Sequence, residues 1–271
     1  MRLLQRYRAS KMNPLGPDFK RAPVCSIDLS GTELRFRNPA HEAPFSCEDP
    51  PDHLDIYKID NFDIWPNNRG MTLILARTGW GFWDSLFGGD GMLGYVMMQM
   101  ILQCRAPNNR QNDSLFNPNG LSRWVLDTCE QSWGSRNREM LEERDNYRNF
   151  SPERSLWKYP KQEKDFKKMT INGNQWLYYE AGQPVAETPK KIWCTAISDD
   201  HLLDVSFQAG GNLRSYFDPK HDIDSAVTKA MNEFVNNIYI NFSPSAQEER
   251  DEYSAELAEQ RSASERSKRR S

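Results

Sequence analysis

The chain lacks the short signatures that assign a chemistry to a sequence. No Gly-x-Ser-x-Gly elbow presents a serine, no cysteine has a histidine close by in sequence, and no Walker lysine pattern marks a phosphate loop. Histidine is scarce, with four residues at His41, His53, His201 and His221. None has a second ligand three or four residues away on a helix, so no metal site and no cofactor is expected. The five cysteines, Cys25, Cys47, Cys104, Cys129 and Cys194, are scattered and never form a Cys-x-x-Cys pair. That spacing argues against a zinc site or a disulfide framework and for buried, reduced thiols. No run approaches the ~18 apolar residues of a transmembrane helix. The basic start, Met1 to Lys11, holds only Leu3 and Leu4 after its first charge, short of the roughly 7–15 apolar residues of a secretory signal. A cytoplasmic location is the expectation.

Strong charge of one sign is missing too. A net charge of −3 with 27% charged residues gives no field that would gather nucleic acid. Mean hydropathy is −0.81, and much of the polarity sits at the two ends. A length of 271 residues suffices for a substantial core, in one large domain or two small ones. The expected division is a loose basic arm over 1–20, an α+β domain over 21–242, and a charged flexible tail over 243–271. Division of the middle at 110/111 into two subdomains is the alternative.

What the chain does have is pattern. Val24–Ser30 and Glu33–Asn38 alternate around Ser30-Gly31 and predict a hairpin. Leu54–Asp60, Met71–Arg77 and Tyr95–Cys104 read as strands. A helix is expected from about Leu121 to Asn149, capped by Asn119 or Ser122 and broken or kinked at Gly134. Phe166–Ile171 and Gln175–Ala181 flank Asn172-Gly173, the strongest short hairpin signal in the sequence. Lys191–Ser198 and His201–Ala209 form another hairpin, with Val205 and Phe207 on one face and Asp204 and Ser206 on the other. An amphipathic helix closes the domain from Ile223 to Tyr239 through Val227, Met231, Phe234, Val235 and Ile238. The sum is an α+β fold of antiparallel hairpins with a helical insert and a closing helix.

The order of paired hairpins and a long helix, over Phe166 to Phe242, resembles the PsbP/Mog1-like sandwich. It is carried by Trp176-Leu177-Tyr178-Tyr179, Leu203-Asp204-Val205-Ser206-Phe207 and Ala226 to Ile240. The resemblance is one of topology and not of a functional motif; it implies a binding or adaptor module and no site.

Two groups of residues are candidates for contact with something outside the chain. Thr78 to Tyr95 packs six glycines, two tryptophans and three other aromatics into eighteen positions. Glycine supplies backbone freedom and aromatics supply contact area at low entropic cost, so Trp80, Phe82, Trp83, Leu86 and Phe87 are the expected partner-docking residues. The competing reading is that they cap the sheet. Asp84 and Asp90 are the only charges in the stretch, and their sign favours a protein partner over anionic lipid. Within it, Gly89-Asp90-Gly91-Met92-Leu93-Gly94 matches a dinucleotide fingerprint, but without the strand before it and the helix after it that bring amides to a pyrophosphate. Trp176, Tyr178, Tyr179 and Trp193 are the weaker candidates, lining a small-ligand pocket. The leading expectation is a non-enzymatic interaction protein of the adaptor or toxin-neutralising kind. A hydrolase assembled in space around His53, His201 or His221, or a small-ligand binder, is the alternative.

Overall fold

The computed structural model describes residues 5–65, 69–87, 89–106, 113–146, 150–184, 188–210 and 220–255. It has an α+β fold built on two sheets. Hairpins form where the turn residues demand them. β1 (Val24–Leu29) and β2 (Thr32–Arg37) turn through Ser30 at φ 51° and Gly31 at φ 91°. β7 (Lys167–Ile171) and β8 (Asn174–Ala181) turn through Asn172 at φ 50° and Gly173 at φ 82°. Left-handed φ at both central residues is the geometry that Asn-Gly adopts most readily, and it matches the twist of the flanking strands. Asn172 also donates its Nδ2 to the carbonyls of Asn236 and Ile238 at 2.9 and 2.7 Å, tying this turn to the last helix.

Three further strands of the large sheet are long: β5 (Gly70–Trp83), β6 (Met92–Arg105) and β10 (His201–Gly210). With β4 (Asp63–Ile64) and β9 (Lys190–Ala196) they give the order β4-β5-β6-β10-β9-β8-β7, antiparallel throughout. The small sheet has the order β11-β2-β1-β3, where β3 (His53–Leu54) runs parallel to β1 and β11 is Tyr239–Asn241. The strand expected over Leu54–Asp60 is therefore only its first residue; the rest turns, with a 3-10 turn at Ile59–Asn61.

The insert begins one turn earlier than expected. Asn117 caps α1 (Pro118–Cys129) by accepting from Asn119 N at 2.8 Å, and Pro118 sits where its missing N–H costs nothing. The chain then widens into a π-helical turn over Glu130–Gly134 before α2 (Ser135–Glu142) and a short α3 (Pro152–Ser155). Gly134 marks the irregularity because the Glu130 carboxylate lies against the place where its Cβ would be. The last helix of the domain is α4 (Ile223–Asn236), capped by Asp222. Its buried Ile223, Val227, Met231, Phe234 and Val235 each contribute about 1.5–3 kcal/mol of burial, so the stripe far outweighs the cap. A further helical run, residues 244–255, follows β11.

The large sheet is covered on both faces. One face meets the small sheet and α4 in a core that includes Ile27, Leu34, Trp80, Met98, Val205, Phe207 and Phe234. The other meets the insert in a second cluster built from Leu121, Val125, Cys129, Leu177, Tyr179, Ile192, Cys194 and Leu202. Asp204 lies, as its alternation predicts, on the face opposite Val205 and Phe207, and is only 7% exposed because the insert covers that face. Boundaries at 20 and 243 cut through packed contacts. Phe19 is 1% exposed with its ring 5.2 Å from that of Trp80, and Ala246 is buried while Ser243 N donates to Thr32 Oγ1. Among the described residues no helix is long and apolar enough to cross a membrane.

Candidate functional site

The aromatic-glycine segment is mostly strand. β5 continues to Trp83 because its glycines make room for neighbours rather than for turns. A Cβ at Gly79 would stand 2.5 Å from Phe45 Cζ and 2.7 Å from Ala43 Cβ, where residues 42–43 bond to the Gly79 carbonyl. Trp80 and Phe82 consequently face inward and are wholly buried. The Trp80 ring packs against Phe19, Phe207 and Phe234, and its Nε1 donates to the Pro39 carbonyl at 3.3 Å. They cannot anchor a partner, since the sheet's own core holds them. This corrects the expectation for two of the five residues.

The other three lie at or beyond the end of the strand. Trp83 is half-buried, donating Nε1 to Glu42 at 3.3 Å, with the Arg6 guanidinium 4.9 Å above its ring. Leu86 is half-buried, and its N–H donates to the Arg6 carbonyl. Phe87 is 68% exposed, and its ring lies 5.1 Å from that of Tyr7, itself 58% exposed.

The N-terminal arm builds this tip. Leu15 and Trp83 exchange both backbone hydrogen bonds at 2.9 Å, which seats the arm beside β5. Lys11 holds Asp90 at 2.5 Å and accepts from Asp222 N through its carbonyl. Asp84 is buried within the loop, its carboxylate accepting from Ser85 N and Asp90 N, while its own N–H donates to Gly91. The Lys11 ammonium holds the Asp90 carboxyl below the ordinary range. Both acids of the stretch are thus engaged inside the tip. The arm's part was invisible in the sequence, where Tyr7 sits in a basic, unpatterned run.

The glycine fingerprint runs from the β5–β6 loop into the first three residues of β6, so a hairpin and a strand stand where dinucleotide binding needs a helix N-terminus. The four aromatic residues expected to line a pocket do not share one. Strand alternation places Tyr178 and Tyr179 on opposite faces of β8. Trp176 and Trp193 are buried in the first core, where the Tyr178 ring packs 4.6 Å from Trp193. Tyr179 is buried in the second core beside Cys129, and burial pushes its phenol well up.

The histidines are dispersed, each with local partners. His53 meets Asp28 at 2.9 Å on the surface. His41 accepts from Gly79 N at 3.0 Å and donates to the Phe45 carbonyl at 2.7 Å. Buried His221 lies 4.0 Å from Asp90. His201 donates Nε2–H to the Ile56 carbonyl at 2.9 Å, so its Nδ1 accepts from Ser198 Oγ at 2.7 Å. A serine bonded to an imidazole is the start of a nucleophile. Here the hydroxyl is buried and also accepts from the N–H groups of Asp200 and His201, so the pair closes the β9–β10 turn. Among the described residues no group of three histidine, cysteine or acidic side chains could hold a metal.

Of the thiols, Cys104, Cys129 and Cys194 are buried, Cys25 is half-buried, and Cys47 is exposed, contrary to its expected burial; none is in a disulfide. Burial pushes Cys129 up to about 12 and Cys194 well up, which leaves both as inert thiols at neutral pH. No family model, no curated protein and no solved structure matches the chain.

Proposed function

We propose that this chain is a single-domain, non-enzymatic protein-interaction module, of the adaptor or toxin-neutralising kind, that docks through the tip built by Tyr7, Trp83, Leu86 and Phe87. The observation that carries the reading is the Tyr7–Phe87 pair. Two large rings contact one another in solvent, on a base fixed by backbone bonds from the arm. Such rings present apolar area with little rotamer freedom to lose, which is the profile of interface anchors. A protein partner suits them better than an anionic bilayer. Arg6 is turned inward over Trp83 and onto the Asp84 carbonyl, and Lys11 is held by Asp90, which leaves exposed Arg8 as the described cation beside Tyr7, a single charge that adds only about 1 kcal/mol at an anionic surface. The separate local duties of the four histidines also favour binding over hydrolysis.

The test is affinity capture from the native cell with the wild-type chain and with the Tyr7→Ala/Phe87→Ala double variant, read by quantitative mass spectrometry. A partner retained by the wild type and reduced at least ~30-fold in the variant, the equivalent of losing about 2 kcal/mol of anchor, is expected. An identical set of proteins held by both would remove the tip from consideration.

A further inference from the structure

A second surface carries a different chemistry. Between the start of the insert and the helical run 244–255 lies a cleft of about 260 Å³. Its apolar lining comes from Leu115, Leu121, Leu177 and Ala196, all buried members of the second core. Its charged lining residues are Lys168 and Arg250, and among the described residues lining it none is acidic.

Arg250 is the informative residue. It is half-buried, on the same helical face as Tyr253 and Ser254, which also line the cleft three and four residues on. Its guanidinium donates to Asn174 Oδ1 at 3.2 Å and to the Gly173 carbonyl at 2.9 Å, and lies 5.1 Å from the Phe242 ring. These partners fix its position, and all are neutral. A guanidinium aligned by neutral acceptors over an apolar floor keeps its charge uncompensated and presents it to an anion from outside. Lys168, at the rim, is paired with the exposed Glu163 at 3.7 Å, so Arg250 is the lining residue that offers its charge to the cleft.

We propose that this cleft binds a small carboxylate with an apolar body, the carboxylate meeting Arg250 and the body lying on Leu121, Leu177 and Ala196. The volume falls just below the ~300–1,000 Å³ of most ligand sites, so it suits a single ring or a branched aliphatic group and no more. The inference rests on residues apart from the tip, and its failure leaves the docking reading untouched.

The experiment is calorimetric titration of the full chain with phenylacetate and with its neutral isostere phenylacetamide. Expected is saturable binding of phenylacetate with Kd below about 1 mM, and binding of phenylacetamide at least ~10-fold weaker, as for loss of a charge-assisted contact. Arg250→Gln should weaken phenylacetate by a similar ~10-fold. Because Arg250 also ties the helical run to β8, a second variant, Ser254→Trp, blocks the mouth from an exposed position and should abolish binding without altering the melting curve. Absence of saturation at ~10 mM in the wild type, equal binding of acid and amide, or indifference to Ser254→Trp would each overturn the proposal. So would a tripeptide ending in phenylalanine that binds tenfold more tightly than phenylacetate, which would reassign the cleft to a chain terminus.

Discussion

The two faces of the seven-stranded sheet are sealed by different materials. The face under the small sheet and α4 is closed by rings and aliphatic side chains, with Trp80, Phe207 and Phe234 packed against each other at centroid distances from 5.3 to 6.5 Å. The face under the insert is also buried, yet it encloses Asp204, Gln103, Tyr179 and two thiols. The first face therefore responds to lost volume and the second to protons. A helical cover over a sheet does not by itself decide which groups it hides; in this chain the π-helical turn and α1 lie over strand positions whose alternation looked solvent-facing.

Removing a ring from the first face is the harshest way to break the comparison. Trp80→Ala deletes a wholly buried indole touching three other aromatic residues, so urea denaturation should show a loss of about 3–5 kcal/mol. This loss should be the same at pH 5 and pH 8, because the rings it packs against, Phe19, Phe207 and Phe234, carry no titratable group. A change below ~1 kcal/mol would mean that Trp80 is not the keystone its burial implies.

Asp204 tests the second face, and the sign is specific. Burial pushes its carboxyl up to about 7, against the smaller opposing pull of Lys190. The groups facing it are the Cys129 thiol from α1, the Tyr179 phenol from β8, Cys194 from β9 and the Gln103 amide from β6. Gln103 Nε2 reaches the carboxylate only at 3.5 Å, and Gln103 Oε1 has no hydrogen-bond partner among the described residues. A neutral carboxyl suits such a place, since it carries a proton to donate. With the folded value above the unfolded one, the folded state holds the extra proton between about pH 4 and pH 7, and stability falls as pH rises through that window. The cost levels off above about pH 7 at several kcal/mol, in keeping with roughly 1.4 kcal/mol per unit. Asp204→Asn should remove this slope, gaining about 2–4 kcal/mol at pH 8 and nothing near pH 4, as read from urea midpoints across pH. A variant whose slope matches the wild type would show that Asp204 is ionised or solvated throughout.

Much of the first face was legible from residues alone. Asn172-Gly173 fixed one hairpin, Ser30-Gly31 another, and the stripe from Val227 to Ile238 placed α4 on the sheet, because turn geometry and a period of 3.6 are local properties. The second face was not. Asp204 alternates with apolar neighbours as a solvent-facing residue would, and only the distant insert decides otherwise. Glycine hid the true length of β5: a residue with no side chain interrupts the pattern without interrupting the strand. Tyr178 and Tyr179 were grouped by composition, although adjacent strand residues point apart. In the cleft, Arg250, Tyr253 and Ser254 already stood at helical spacing, a signal submerged in a charge-laced tail.

The tip belongs to neither face, and that sharpens the comparison most finely because the expected effect on stability is nearly zero. Phe87 and Tyr7 keep 68% and 58% of their surface in solvent, so the ~25 cal/mol per Å² that rewards burial applies to the smaller part of each. What remains is their mutual contact, and an exposed aromatic pair contributes at most about 0.5–1 kcal/mol. Tyr7→Ala with Phe87→Ala should therefore leave the urea midpoint within that range, at pH 5 and pH 8 alike. Arg6, Leu15 and Lys11 hold the arm through backbone and ionic contacts that neither substitution touches. The double variant is thus a clean probe: a protein of unchanged stability that loses its partner has lost a docking surface. A loss above ~2 kcal/mol would make the two rings a structural clasp for the arm, and the exposed pair would then be explained without any partner.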